Sequence, residues 1–335
     1  MKKLTTLPFK PLTIAMTVSS VICAYAPNVF AETYGIHANN ADISVTEYNF
    51  ESKDYGVAAE KGFSATVNSN NDIKINATKG GAYIKDNGWG TINLTTSKNI
   101  EIVSANGSSI FSGLYLGPKT KSTEDLFLST TSKNLIIKGT ADTTARAINI
   151  NGHSNSSSTA KLTYGTVEIN VENIVDINST AGSYTKGIHA EGFNAKVDVT
   201  AKTINIKSIT TGNKGKYAYG LSAHSDGIIS ASADYIDISS QVNSSGDAIT
   251  VYAKSGPRLN ERTTQIDLDA KESIILHATS AEDSTGITST IFSEGSSAAS
   301  FVNLNSKTTK LVATGSDTFG IATYPNFHPE GLTSS

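Results

Sequence analysis

The chain has 335 residues, with 27 basic and 30 acidic side chains, 27 glycines, one cysteine and one tryptophan. An acidic balance with only three arginines, Arg146, Arg258 and Arg262, argues against nucleic acid and anionic lipid as partners, since both need basic stripes. A single cysteine excludes a disulfide framework.

The first element in chain order is an export signal. Lys2, Lys3 and Lys10 form a positive region, Leu12 to Ala24 is uncharged and apolar, and the segment closes on Val29 and Ala31, small enough for a signal peptidase. We therefore expect a signal peptide over residues 1–31 and a mature domain over 32–335. Cys23 lies inside the signal, so the mature chain has no thiol. Without the three signal lysines, 24 basic residues face 30 acidic ones, a net charge of about −6. The apolar stretch is too short for a stable spanning helix.

From Tyr34 onward one pattern recurs: Gly or Ala, an aliphatic residue, a variable residue, then often Ala. It reads Gly35-Ile36-His37-Ala38, Gly56-Val57-Ala58-Ala59, Gly187-Ile188-His189-Ala190, Gly220-Leu221-Ser222-Ala223 and Gly320-Ile321-Ala322-Thr323. Looser copies start at Ala82, Gly113, Ala147, Ala248 and Gly286. A turn follows most copies, marked by Gly62, Gly88, Gly152, Gly192, Gly227, Gly256 or Gly295. The Asn87-Gly88, Asn151-Gly152 and Asp226-Gly227 pairs supply left-handed backbone cheaply.

Next comes a second strand, as in Thr91-Ile92-Asn93-Leu94 or Gln265-Ile266-Asp267-Leu268. A third follows, as in Asn99-Ile100-Glu101-Ile102, Thr203-Ile204-Asn205-Ile206 and Tyr235-Ile236-Asp237-Ile238. Alternation of apolar and polar residues buries one face of each strand and wets the other. The spacing between copies varies, while the internal order does not. Corner loops of a solenoid can lengthen freely; stacked strands cannot.

These features predict an all-β, right-handed, single-stranded parallel β-helix of about nine three-strand rungs, stacked to roughly 43 Å. Ile100, Ile102, Ile204, Ile206, Ile236 and Ile238 are expected to share its core. A sandwich or a propeller would not repeat one three-strand order at so uneven a period, and Trp89 is the only tryptophan.

An export signal followed by irregular Gly-Ile-x-Ala rungs, rich in Asn, Ser, Thr and Gly and free of cysteine, resembles the passenger domains of autotransporters (type V secretion), especially the pertactin-like β-helical ones. The resemblance implies export, passage through an outer-membrane β-barrel translocator, and display on or release from the cell surface. It carries no catalytic motif. The chain departs from the family in ending at Ser335, one strand into a rung, with no barrel segment after Gly320. A truncated passenger or one piece of a split system is the expectation this raises.

No set of residues in the sequence carries a recognisable enzyme motif. Asp226, Asp234, Asp237 and Asp247 fall in one rung but match solvated turn or strand positions, and paired-aspartate and Gly-His-Gly motifs are absent. Gly246-Asp247-Ala248 and Gly315-Ser316-Asp317 only approach a serine-protease signature, and no Gly-x-Ser-x-Gly elbow occurs. His37 and His189 occupy the same outward site in distant rungs. His153, His224, His277 and His328 lack a Cys or carboxylate at metal-ligand spacing. No catalytic, cofactor-binding or metal-binding residue is therefore assigned.

Two features suit binding. One is the trio of insertions at Pro118–Asp125, His153–Lys161 and Gly256–Gln265; the other is the outward aromatics Tyr55, Tyr184, Tyr217, Tyr219 and Phe319, which also suit packing between rungs. The resulting expectation is a non-enzymatic stalk or adhesin that contacts host glycan, host protein or another copy of itself. A β-helical polysaccharide lyase or glycoside hydrolase is the alternative.

Overall fold

The computed structural model describes residues 34–46, 49–52, 54–84, 90–116, 126–151, 165–192, 195–213, 216–256, 263–281, 286–295 and 299–325, without the side chains of 106–116, 324 and 325. The chain divides into two compact units, Met1–Ala31 and Glu32–Ser335. The described residues all lie in the second unit, so the expected signal peptide is outside them.

Every described strand belongs to one parallel sheet wound into a β-helix. Among the described residues there is no helix, hence none long and apolar enough to cross a membrane. Three ladders make up the coil. The first begins with Tyr34–Ala38 and climbs through Tyr55–Ala59, Gly80–Ile84, Tyr184–Glu191, Tyr217–His224, Asp247–Lys254 and Ile287–Gly295 to Asp317–Pro325. The long strand Leu126–Asn151 contributes to all three ladders in turn. The second ladder contains Ser64–Ser69, Gly90–Thr96, Ala195–Thr200 and Ser300–Asn305. The third contains Ile73–Ala77, Thr203–Thr210 and Thr308–Thr314.

The core is one continuous apolar column from Ile36 to Ile291, and Ile100, Ile102, Ile204, Ile206, Ile236 and Ile238 all belong to it. Their strands pair in parallel and in register, Ile206 with Ile238 and Ile177 with Ile206. Each fully buried isoleucine contributes on the order of 1.5–3 kcal/mol.

The Gly-aliphatic-x-Ala pattern has a steric cause. A Cβ on Gly56, Gly187 or Gly220 would sit 2.1, 2.4 and 2.4 Å from the Cγ2 of Ile75, Ile206 and Ile238 across the core. At these three rungs a Cβ-branched isoleucine on the third ladder fills the space a first-ladder side chain would take; one rung below Gly187, Ala147 is accommodated with Ile177 in the place of Ile206. Where the third ladder carries Leu276 and Leu311 instead, in register with Ile238, the first ladder carries Thr250 and Thr290. Leucine, unbranched at Cβ, leaves room for them.

This register moves three of the expected repeat starts. Val57 pairs with Ala82, Leu221 with Val251 and Val251 with Ile291. The copies begin at Gly81, Thr250 and Thr290, not at Ala82, Ala248 and Gly286.

Turn chemistry also differs in detail. At Asp226-Gly227 the left-handed positions are Ser225 (φ 48°) and Asp226 (φ 78°), not the glycine. Gly227 N–H donates to the His224 carbonyl at 3.0 Å, closing a turn with two left-handed central residues. Gly227 is needed for space, because a Cβ there would lie 2.2 Å from the Ala190 carbonyl oxygen. Lys61 (φ 59°) and Gly62 (φ 86°) build the same turn earlier in the chain. Gly88 and Gly152 lie outside the described residues.

Candidate functional site

Strands of the second and third ladders follow the expected alternation, but those of the first do not. Tyr184–Glu191, Tyr217–His224 and Asp247–Lys254 each hold six consecutive buried residues. Their inner side feeds the core, and their outer side is covered as well. Buried parallel strands ordinarily carry apolar residues on both faces. Here part of the outer face is apolar, with Tyr219, Ile249, Tyr252 and Phe292 in one cluster. The remainder is polar and charged, and that part is the candidate site.

In the strand beginning at Tyr184 the rung-to-rung pairing skips Gly187, so Lys186 and His189 both face outward with Glu191, while Ile188 and Ala190 point into the core. In-register stacking then sets His189 beside Ser222 and Glu191 beside His224 on the rung above, and Asn149 and Asn151 beside them on the rung below. His189 is fully buried and Lys186 is only 5% exposed. Glu191 lies at the rim, its side chain about half exposed.

Hydrogen bonds tie the group together. His189 Nδ1 lies 3.0 Å from the Ser222 carbonyl oxygen, and Nε2 lies 3.1 Å from Glu191 Oε2. Lys186 Nζ approaches Nε2 at 3.1 Å and Nδ1 at 3.3 Å. Ser222 Oγ is 3.0 Å from His224 Nε2. The His189 and His224 rings meet edge to face at 5.1 Å, and His224 meets Tyr252 likewise at 4.9 Å.

Burial dominates the electrostatics. It pushes the Lys186 ammonium down to about 7, helped by the nearby Arg146 charge and opposed by Glu191. It pushes His189 down to about 4, with Lys186 adding to the effect. The hydrogen bond from His189 is the main cause that holds Glu191 near 2, against the opposing effect of burial. His224 falls well below its ordinary value, again chiefly through burial. At neutral pH His189 is thus neutral, with one ring N–H and three oxygen neighbours, the Ser222 carbonyl and hydroxyl at Nδ1 and the Glu191 carboxylate at Nε2. Whichever nitrogen is bare faces an oxygen, and Lys186 is the cation beside it.

His189, Glu191 and His224 each offer one ligand atom, and the three atoms lie within 4.8 Å of one another. The sequence predicts an outward His189, too distant from His37 to share a metal, and a His224 with no carboxylate at ligand spacing. The structure corrects this: His189 is fully buried, His224 is half-buried, and both have Glu191 close by. The missed signal was the 33-residue step from Gly187 to Gly220, which aligns Glu191 with His224.

The other flagged residues fall elsewhere. His37 shares the outward row of His189 but sits far down it, against Glu60 at 3.1 Å and stacked on Tyr34. Asp237 is exposed, whereas Asp226 is buried (8% exposed), contrary to a solvated position. Asp247 accepts the Ile287 N–H at 2.9 Å. Tyr55 stacks on Tyr83 at 4.0 Å and Tyr217 on Tyr219 at 4.4 Å, so these rings pack between and within rungs. Phe319 is 47% exposed. Arg258, Arg262, His153, His328 and most of the three insertions lie outside the described residues. The described residues flanking each insertion, Leu116 and Leu126, Asn151 and Gly165, and Lys254 and Thr264, end a first-ladder strand and begin a second-ladder one.

No protein-family model, curated protein or solved structure matches the chain. The function is therefore argued from the geometry alone.

Proposed function

We propose that the chain is an exported β-helical passenger, of the autotransporter kind, that works at the cell surface as a non-enzymatic stalk or adhesin. The observation that carries this reading is the outward face of the second and third ladders. Asparagine, serine, threonine, lysine and acidic residues alternate there without a run of one charge, and they bond from rung to rung. Asn99 bridges Asp72 at 3.1 Å and Asn134 at 2.7 Å; Asn303 and Asn305 bond Asp267 and Asp269 at 2.7 and 3.0 Å. A polar lattice repeating at the strand spacing of about 4.8 Å suits extended partners with many weak contacts: a host glycan, a host protein or a second copy. On this reading an outer-membrane barrel translocates the chain.

The test is export and binding together. Expressed with a barrel fused after Ser335, the mature chain should begin at Glu32, become sensitive to protease on intact cells, and bind immobilised glycans or itself. Retention inside the cell with residues 1–31 intact would overturn the reading.

A second reading, a polysaccharide-active β-helical enzyme, is favoured by the crowding of Lys186, His189, Glu191, Ser222 and His224 on one strand face. Buried groups with displaced proton affinities in a cluster are a mark of catalytic sites. Incubation with neutral and acidic polysaccharides separates the two readings: new reducing ends, lost in His189→Ala, would replace the stalk by the enzyme.

A further inference from the structure

We propose that His189, Glu191 and His224 form a transition-metal site, with Asn151 as a fourth donor from the rung below. The backbone already makes the supporting contact. Neutral His189 can donate either from Nδ1 to the Ser222 carbonyl at 3.0 Å or from Nε2 to the Glu191 carboxylate at 3.1 Å, and metal at Nε2 selects the first tautomer. Metal-ligating histidines characteristically donate their second nitrogen to such an oxygen. This tautomer leaves the Nε2 lone pair 3.1 Å from Glu191 Oε2. Two lone-pair atoms at that distance need a cation, a place now taken by the Lys186 ammonium at 3.1 Å from Nε2 and open to a metal ion in exchange.

A candidate fourth donor lies on the rung below. Asn151 Oδ1 is buried and has no hydrogen-bond partner, and Asn151 is the register neighbour of Glu191. An unpaired buried oxygen in a native site asks for an ion or water. Two imidazoles, one carboxylate and one amide oxygen suit zinc and its neighbours rather than calcium or magnesium, which need several oxygen ligands and no nitrogen.

Lys186 is the competitor. Its ammonium occupies the Nε2 side of His189 at 3.1 Å, where a metal would have to sit. The side chain must swing aside on binding, so the site should load more tightly once that charge is removed.

The experiment uses the full-length chain without a histidine tag, stripped with chelator. Zn²⁺ is titrated calorimetrically, and Co²⁺ by visible absorption. The expected result is one equivalent per chain, with the tetrahedral cobalt spectrum of mixed nitrogen and oxygen ligands. His224→Ala and Glu191→Gln should each weaken binding at least tenfold, and Lys186→Met should tighten it. Glu191 sits at the rim, so Glu191→Gln keeps the test valid if His224→Ala unfolds; circular dichroism checks this. Absence of stoichiometric binding in both the parent and Lys186→Met, or equal affinity in parent, His224→Ala and Glu191→Gln, would overturn the proposal.

Discussion

At single positions, neighbours one residue apart have opposite fates. Ile206 is 2% exposed in the core, while Asn205 points outward beside Asp176 and Asp237 in register. Ile206→Asp buries an unpaired carboxylate and should cost several kcal/mol. Asn205→Asp sets a carboxylate between two others, a repulsion of roughly 0.2–1 kcal/mol per pair, still well below the cost in the core; proteolytic resistance measured on both variants checks the order. Gly187→Ala is a subtler case. Alanine is ordinarily the better strand residue, yet here its Cβ would meet both the Ile206 Cγ2 and, at 2.5 Å, the Gly220 carbonyl. Backbone cannot rotate away, so a loss of about 1–3 kcal/mol is expected in urea unfolding. Asp247 gives a pH signature. Burial raises its carboxyl above the ordinary value, partly offset by the Ile287 N–H. The folded state then holds the proton more tightly than the unfolded chain. The group's contribution is best in acid and becomes a cost as pH rises through the folded value. Asp247→Asn keeps an oxygen for Ile287, so it should be the more stable form at pH 7. That gain should shrink as pH falls through the folded value and be gone below about 4.

At the scale of strands, alternation made the second and third ladders legible from sequence, because one face is core and the other is wet. It failed on the first ladder, where Tyr217–His224 is buried on both sides. The reading assumed one solvated face per strand, and no periodicity reports what covers the other. The buried polar group was hidden for a second reason. Its members come from neighbouring rungs, and corner loops of uneven length hide which residue lies above which. Only the paired Gly187 and Gly220 motifs could have aligned Glu191 with His224. Side-chain ladders bridge the same gap on the third face. Asn99 links Asp72 and Asn134, so Asn99→Ala removes a donor and an acceptor together. A loss of about 1–2 kcal/mol is expected by thermal unfolding, larger than for Asn178→Ala, whose bond to Asp176 stays within one strand.

For the whole molecule, each rung leans only on the rungs above and below it. The strand Asp317–Pro325 pairs with Ile287–Gly295 alone among the described residues, and Ile321, in register with the buried Ile291, is 62% exposed. Hydrogen exchange in Asp317–Pro325 should be faster than in the equivalent strand Tyr217–His224. Equal protection would mean that another segment or a second copy covers that end.

The same stacking has a mechanical meaning. All strands lie across the coil axis, so a pull along the axis loads the hydrogen bonds of one rung at a time, as in opening a zip. Detaching the rung between His189 and Ser222, 33 residues apart in sequence, would release about 110 Å of extended chain. A tether built this way lengthens in steps at modest force and can rewind rung upon rung when the load falls. Single-molecule pulling should therefore give a train of small releases, as uneven in length as the rungs themselves, instead of one large rupture.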